Sequence, residues 1–432
     1  MGLIVNILKE VLDNEVFPAL GCTEPIAVAY AASVAAGEVD GEVDSVAIIV
    51  DSGIYKNGLA VTVPNTNGQK GNLIAGVLGA FVRQPDLKME ILQGVKKEMI
   101  QRAGDMIQAG RATITYDATK TDLHVDVRVK SRNGSARAVL AHGHTNLVRL
   151  EKNGRTVIKK DRASGPKTTP SYKKTLITLK IKDLIELAEE MDAADYKYIK
   201  HGVDMNLRIS EAGKNIKKVG YYLTDLVKKG YLHADIFTSS KILVASASDA
   251  RMSGMSLPVM SSGGSGNQGI VAILIPYTVG KQFKISERKI LRSIALSHLI
   301  NSYIKCFTGD LSPLCGCSIA AGVGAAVAIV YQRKGKDMAK ITFAVNNLIS
   351  DLGGMLCDGA KGGCALKVVS SADAGIRSAY MALNNHGITE AEGFVGRTAE
   401  ETIQNLSRIS EIGMAKVDDT MLSIMASKSS GR

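Results

Sequence analysis

The N-terminal residues carry a helical pattern. Leu3, Ile4, Ile7, Leu8, Val11 and Leu12 recur at three- and four-residue spacing and form one apolar face. A second helix is predicted from Thr23, which can cap it, with Glu24 and Pro25 suited to the first turn and Gly37 at its end. From about residue 43 the period shortens to two. Residues 46–50 and 59–63 read as strands around an Asn57-Gly58 turn. Leu123, Val125, Val127 and Val129 alternate with His124, Asp126, Arg128 and Lys130, the pattern of a half-buried strand. Asn133-Gly134 and Asn153-Gly154 are hairpin signals. Helical segments at about 70–82 and 86–109 interrupt the strands.

Residues 161–175, rich in Lys, Thr, Ser and Pro, read as a linker. The chain beyond it is mainly helical in pattern, with segments at 182–190, 194–229, 289–306, 318–331, 338–355, 365–385 and 398–412. No internal repeat is present. The expected fold is α+β: N-terminal helices over 1–37 packing on the catalytic part, a mixed α/β domain of antiparallel strands over 38–160, the linker, and a larger mainly α-helical domain over 176–432. The run 314–331 approaches the length of a membrane span. Nearly half of it is Gly and Ala, so a buried central helix is the expectation and no membrane partner.

With 432 residues the chain has ample material for large cores, and its 45% hydrophobic and 22% charged content is that of a soluble globular protein. Tryptophan is absent and glycine reaches 43 residues, so small residues must do much of the packing. The N-terminus lacks the features of a secretory signal, and a cytoplasmic location with reduced thiols is expected. Residues 151–182 hold ten Lys/Arg against two Asp/Glu and supply most of the net charge of +11. This strip has few aromatics and no known nucleic-acid motif, so it reads as a solvated linker and no nucleic acid is expected as partner.

Five of six cysteines fall in one stretch: Cys306, Cys315, Cys317, Cys357 and Cys364; Cys22 stands apart. Cys317 and Cys364 directly precede predicted helices, Cys357 follows one, and Cys22 lies at a helix start. Free amides at a helix start favour a thiolate. The Cys-x-Cys and Cys-x6-Cys spacings are not those of structural zinc, whereas an iron–sulfur cluster needs only convergent thiolates. The plain alternative is that these cysteines are small hydrophobes in a Gly/Ala core.

The loop at 261–269, Ser-Ser-Gly-Gly-Ser-Gly-Asn-Gln-Gly, precedes an apolar run and can cradle an anion at a helix start. Its Gly264, Gly266 and Gly269 match GxGxxG without the preceding strand that a dinucleotide site needs, so an ordinary turn explains them equally well. Asn65 and Thr66, in a turn, are candidates for holding a small polar ligand. His142 and His144 are placed on one side of an extended segment, an arrangement more often structural than catalytic. Lys361, inside the cysteine loop, is either a charge partner for an anionic cluster or a solvated residue.

Taken together, Gly21-Cys-Thr-Glu-Pro25, Ser262-Gly-Gly-Ser-Gly-Asn-Gln-Gly269, Gly316-Cys-Ser-Ile-Ala-Ala-Gly322 and Cys357-Asp-Gly-Ala-Lys-Gly-Gly-Cys364 resemble the L-cysteine desulfidase family, a relative of the iron–sulfur L-serine dehydratase α chain. The resemblance spans nearly the whole chain, and the serine dehydratase relation is clearest from about residue 260. It implies a [4Fe–4S] cluster held by Cys317, Cys357 and Cys364 with one iron open to substrate, and Cys22 as proton acceptor; Cys315 is close enough to Cys317 to keep that assignment open. The implied reaction is β-elimination of L-cysteine to pyruvate, ammonia and hydrogen sulfide, without pyridoxal phosphate. Thr23, Ser262, Ser265 and Asn267 are expected to hold the amino acid's carboxylate. Rival readings are an L-serine dehydratase and, in another class, a non-catalytic iron–sulfur or zinc sensor of thiols or redox state. The Gly/Ala-rich helices and the α+β domain are compatible with a homodimer.

Overall fold

A computed structural model describes residues 6–120, 122–159 and 170–429. The chain is α+β, with a six-stranded sheet and a larger helical part. The first part runs α1 (Ile7–Glu15), β1 (Pro18–Ala19), α2 (Thr23–Gly37), β2 (Val43–Val50), α3 (Ser52–Gly58), α4 (Asn72–Val82), α5 (Lys97–Gln108) and β3–β7 (Ala112–Tyr116, His124–Ser131, Gly134–Ala141, Leu147–Lys152, Arg155–Lys159). The second runs α6 (Ser171–Leu176), α7 (Ile181–Glu189), α8 (Ala193–Gly213), α9 (Val219–Lys228), α10 (Ile236–Met252), β8 (Val259–Met260), α11 (Gly266–Gln282), α12 (Glu287–Thr308), α13 (Ala320–Lys334), α14 (Met338–Leu352), α15 (Cys364–Leu383), α16 (Ala399–Arg408) and α17 (Val417–Ser429).

The sheet order is β3-β2-β4-β5-β6-β7. It is mixed rather than wholly antiparallel, because β2 and β3 pair in parallel. The alternation in β4 holds: Val125, Val127 and Val129 are fully buried. Its Asp126 is buried too, neutralised by Arg137 at 2.6 Å. Both Asn-Gly hairpins form, joining β4 to β5 and β6 to β7.

Other expected elements are corrected. Residues 52–58 form a helix instead of ending in a hairpin turn, and 59–63 contribute only an isolated bridge, Thr62 to Lys70. Asp51 caps that helix by accepting from the Ile54 N–H at 2.9 Å, which outweighs the turn propensity of Asn57-Gly58. The predicted 86–109 helix breaks into a 3-10 stretch (Pro85–Gly94) and α5. The 194–229 helix splits after Gly213, whose Cα lies against the Ser246 carbonyl. Helices α10 and α17 were not predicted, and α6 lies inside the expected linker, whose residues 161–169 are outside those described. Leu3 and Ile4 also lie outside the described residues.

Two large cores form. The N-terminal helices go to different ones: α1 buries Ile7, Leu8, Val11 and Leu12 in the helical core, whereas α2 joins the core beneath the sheet. Helix α13 runs buried through the helical core. Among the described residues no helix is long and apolar enough to cross a membrane.

Asp51 also accepts from the His124 N–H at 2.7 Å, and burial pushes its carboxyl up to about 6. The folded state thus binds this proton more tightly than the unfolded chain does. The contribution is fully present below the ordinary carboxyl range and is lost as pH rises through about 6. Asp51→Asn keeps a capping oxygen without the charge. Its unfolding free energy, extrapolated from urea titrations, is expected to fall less between pH 4 and 6.5 than the parent's, by about 2 kcal/mol.

Candidate active site

Four pieces of chain are drawn to one point. Strand β1 pairs with β8, which sets residues 20–24 beside the loop 261–266. Asn206, fully buried, fixes β8 by two hydrogen bonds to Met260. On the other side, Leu314 and Leu356 form a bridge, with Cys315 N–H donating to Met355 at 2.8 Å and Cys357 N–H to Pro313 at 2.6 Å. Cys315 and Cys317 are thereby brought beside Cys357 and Cys364. The loop before Cys364 rests on α3: Ala360 N–H donates to the Asn57 carbonyl, and Gly359, at φ +89°, lies where a Cβ would stand 2.5 Å from the Lys56 carbonyl oxygen.

These pieces enclose a cavity of about 90 Å³. Its walls carry Cys22, Cys315, Cys317, Cys357 and Cys364, together with Glu24, Asn57, His144, Arg251, Ser265, Asn267, Gln268, Lys305, Asp310 and Lys367. Cys22 and Cys364 share a small buried cluster with Val61 and Met252. Gly21 makes the approach possible, since its φ of +76° and close contact with Pro64 exclude a side chain.

Glu24 is the hub of the α2 end. One carboxylate oxygen accepts from the Cys22 thiol at 2.8 Å and from the Thr23 hydroxyl at 3.1 Å; the other accepts from the Asn57 amide at 3.1 Å. Burial opposes its charge, but His144, the Cys22 hydrogen bond and Arg251 outweigh burial and hold the carboxyl below its usual range. Cys22 responds oppositely: burial and the Glu24 carboxylate push its thiol well above the ordinary value. Burial also raises Cys364 and, to about 11, Cys357. The helix-start argument for depressed thiols is thus overruled at Cys22 and Cys364 by desolvation. Cys317 lies in a turn before α13, and as donor to Cys315 it too is pushed up. Cys315 alone is drawn down, by the hydrogen bond from Cys317 and, against burial, by the charge of Lys367.

The other sequence candidates divide. Ser265 stands at the N-cap position of α11 without a side-chain capping hydrogen bond and lines the cavity with Asn267. Thr23 sits behind the wall on Glu24, and Ser262 lies beneath the loop, bonded to His298 and Asn301 at 2.8 and 2.9 Å. Lys361 pairs with Asp358 outside the cavity lining. Asn65 and Thr66 are not brought to it: Asn65 donates to the Leu92 carbonyl and Thr66 to that of Val63. The histidines do not share a side. His142 adopts φ +61° in a tight turn and faces Asp122 at the surface, while His144 turns into the cavity. His144, read from the sequence as more often structural, and Gln268, noted only as part of the 261–269 loop, both line the cavity, as do Arg251, Lys305, Asp310 and Lys367, which the sequence reading does not single out. Arg251, a lone cation in an Ala/Ser-rich segment, was the one readable signal among them.

Among the described residues no three His, Cys, Asp or Glu side chains form a preformed metal site. The donor chemistry nevertheless fits an iron–sulfur cluster: of the five thiols lining the cavity, Cys315, Cys357 and Cys364 lie close enough to Cys317 to act on its ionisation, and convergent thiolates are what such a cluster needs. Lys56, only 2% exposed, lies behind the cysteine loop and pairs with Asp418 of α17 at 2.6 Å. Asp418 is 27% exposed and can be hydrated when left alone; Lys56 cannot. Asp418→Ala is therefore expected to cost about 3 kcal/mol in urea unfolding and Lys56→Met about 1 kcal/mol or less.

Residues 86–423 match the serine dehydratase alpha chain family. The match begins far upstream of residue 260. A UPF0597 protein of Geobacter sulfurreducens is 60% identical over 426 residues, 99% of both chains. Another, of Elusimicrobium minutum, is 53% identical over 424 residues, covering 98% of this chain and 100% of its own. A third, of Alkaliphilus oremlandii, is 39% identical over 427 residues, 97% of this chain and 98% of its own. No solved structure matches. The chain belongs to the serine dehydratase alpha chain family, a family of lyases associated with iron–sulfur clusters.

Proposed function

We propose that this protein is an L-cysteine desulfidase, converting L-cysteine and water to pyruvate, ammonia and hydrogen sulfide. The observation that carries the reading is the Cys22–Glu24 hydrogen bond at 2.8 Å opening into the same cavity as Cys317, Cys357 and Cys364. Those three thiols would hold a [4Fe–4S] cluster, with Cys315 beside them. When bound, the cluster supplies a Lewis acid that favours departure of sulfide.

The chain's own residues handle the proton and the substrate. Glu24 accepts the Cys22 hydrogen bond and orients its sulfur in the cavity. With the thiol held up and the carboxyl held down, the resting proton stays on Cys22; once that proton is displaced, the Cys22 thiolate is the strong base that accepts the proton from Cα. The start of α11, beside Ser265, offers backbone amides toward the substrate's carboxylate. Apolar wall residues Ile304, Leu311, Leu314 and Ile319 suit a thiol better than a hydroxyl. Once sulfide leaves, the enamine tautomerises and hydrolyses in water, so pyridoxal phosphate is not needed. A cytoplasmic setting with reduced thiols fits this chemistry.

Family membership supports L-serine as the second candidate substrate. Steady-state assays of the anaerobically purified protein separate the two. We expect kcat/KM for L-cysteine to exceed that for L-serine at least about a hundredfold. A preference for serine would make it a dehydratase. Bound metal with no turnover of either would leave a sensor.

A further inference from the structure

Arg251 is 2% exposed, yet among the described residues it makes no hydrogen bond and no close ion pair; Nε is unpartnered, and Glu24 acts on it only across a distance. Burying a guanidinium whose N–H donors are left unpaired is costly even with a carboxylate such as Glu24 in the same cavity. Its position at the C-terminal end of α10 compensates in part, since that end of a helix favours a cation. What remains points into the cavity. The guanidinium lies against the first residue of α11, where a Cβ on Gly266 would stand 2.3 Å from Nε. Next along that helix, Asn267 and Gln268 are 3% and 6% exposed, line the cavity, and leave Oδ1 and Oε1 unpartnered. The site thus offers a buried fork of donors, a helix N-terminus, and two orphaned acceptors within one small space.

We propose that Arg251 is the carboxylate-binding residue of this cavity, with Asn267 and Gln268 accepting from the ammonium group of the same ligand. The ligand class is a small zwitterionic α-amino acid. The identity of that ligand as substrate rests on the function proposed above; the binding site itself does not. Arg251 is removed from water in advance, so its charge is available to a carboxylate at full strength.

The test is calorimetric titration of the anaerobically purified protein with L-alanine, which lacks a leaving group, and with L-alaninamide, which lacks the carboxylate. The parent is expected to bind L-alanine at least tenfold more tightly than the amide. Arg251→Gln should lose thirtyfold or more in L-alanine affinity while its Tm changes little, because the guanidinium makes no hydrogen bond or close ion pair whose loss would unsettle the fold. Arg251→Lys should bind about tenfold more weakly than the parent, having lost the fork. Equal affinity for alanine and its amide, no binding of alanine by the parent, or undiminished binding by either variant would overturn the proposal. So would a fall in Tm of Arg251→Gln with affinity kept, the mark of a purely structural arginine. A protein that binds L-alanine through Arg251 but releases no sulfide from L-cysteine would retire the desulfidase reading and leave the carboxylate site standing.

Discussion

Cys357→Ser is expected to abolish the broad absorbance near 400 nm of the anaerobically purified protein and to lower kcat/KM for L-cysteine by about a thousandfold or more. Cys357 is the residue to change first because its place is fixed from both sides. Its N–H donates to Pro313 and its loop is anchored on α3 through Ala360. A hydroxyl there keeps the shape and removes the soft donor. Two companion variants sharpen the result. Cys306→Ala should keep both absorbance and activity, since Cys306 does not line the cavity. Cys315→Ser should keep the absorbance if Cys317 is the third ligand, and should lose it if Cys315 takes that place.

The second large effect is expected from Glu24→Gln, which should lower kcat for L-cysteine by about a hundredfold to a thousandfold with little change in KM. The substitution preserves volume and the hydrogen bond from Asn57, but removes the acceptor charge facing the Cys22 thiol and His144. A loss in kcat alone marks a group that handles the proton. A matching rise in KM would instead place Glu24 on the substrate's ammonium group.

The contrast between what was legible and what was not follows from the physics of each element. Strand β4 could be read because one of its faces packs on α2 and the alternation of Val125, Val127 and Val129 records that. The hairpins could be read because Asn-Gly satisfies their turn geometry locally. Helix α10 could not, because Ser240, Ser246 and Ser248 are buried with its alanines and erase the polar contrast between faces. Helix α3 is short and declared only by its Asp51 cap. The long segment at 194–229 was overread because periodicity continues past Gly213 while the close approach of α10 does not permit one rod.

At the site, spacing left the thiols open between metal ligands and small core residues; it was the family resemblance that singled out Cys22, Cys317, Cys357 and Cys364, and their convergence on one cavity was legible only through it. Their ionisation was not legible, since desolvation, absent from a sequence, outweighs the helix-start effect at Cys22 and Cys364. Glu24 stood in the motif beside Cys22, but its role as a hub depends on Asn57 and His144 arriving from other elements. Asn65 and Thr66 looked available because the sequence does not show that backbone carbonyls already engage them.

The most direct test of the central claim is the product balance of L-cysteine breakdown under anaerobic conditions, with iron and acid-labile sulfide counted in the same preparation. The account predicts sulfide and pyruvate released in equal amounts, by protein carrying about four irons per chain, without added pyridoxal phosphate. Sulfide without pyruvate, or turnover that persists after the iron is removed, would contradict it.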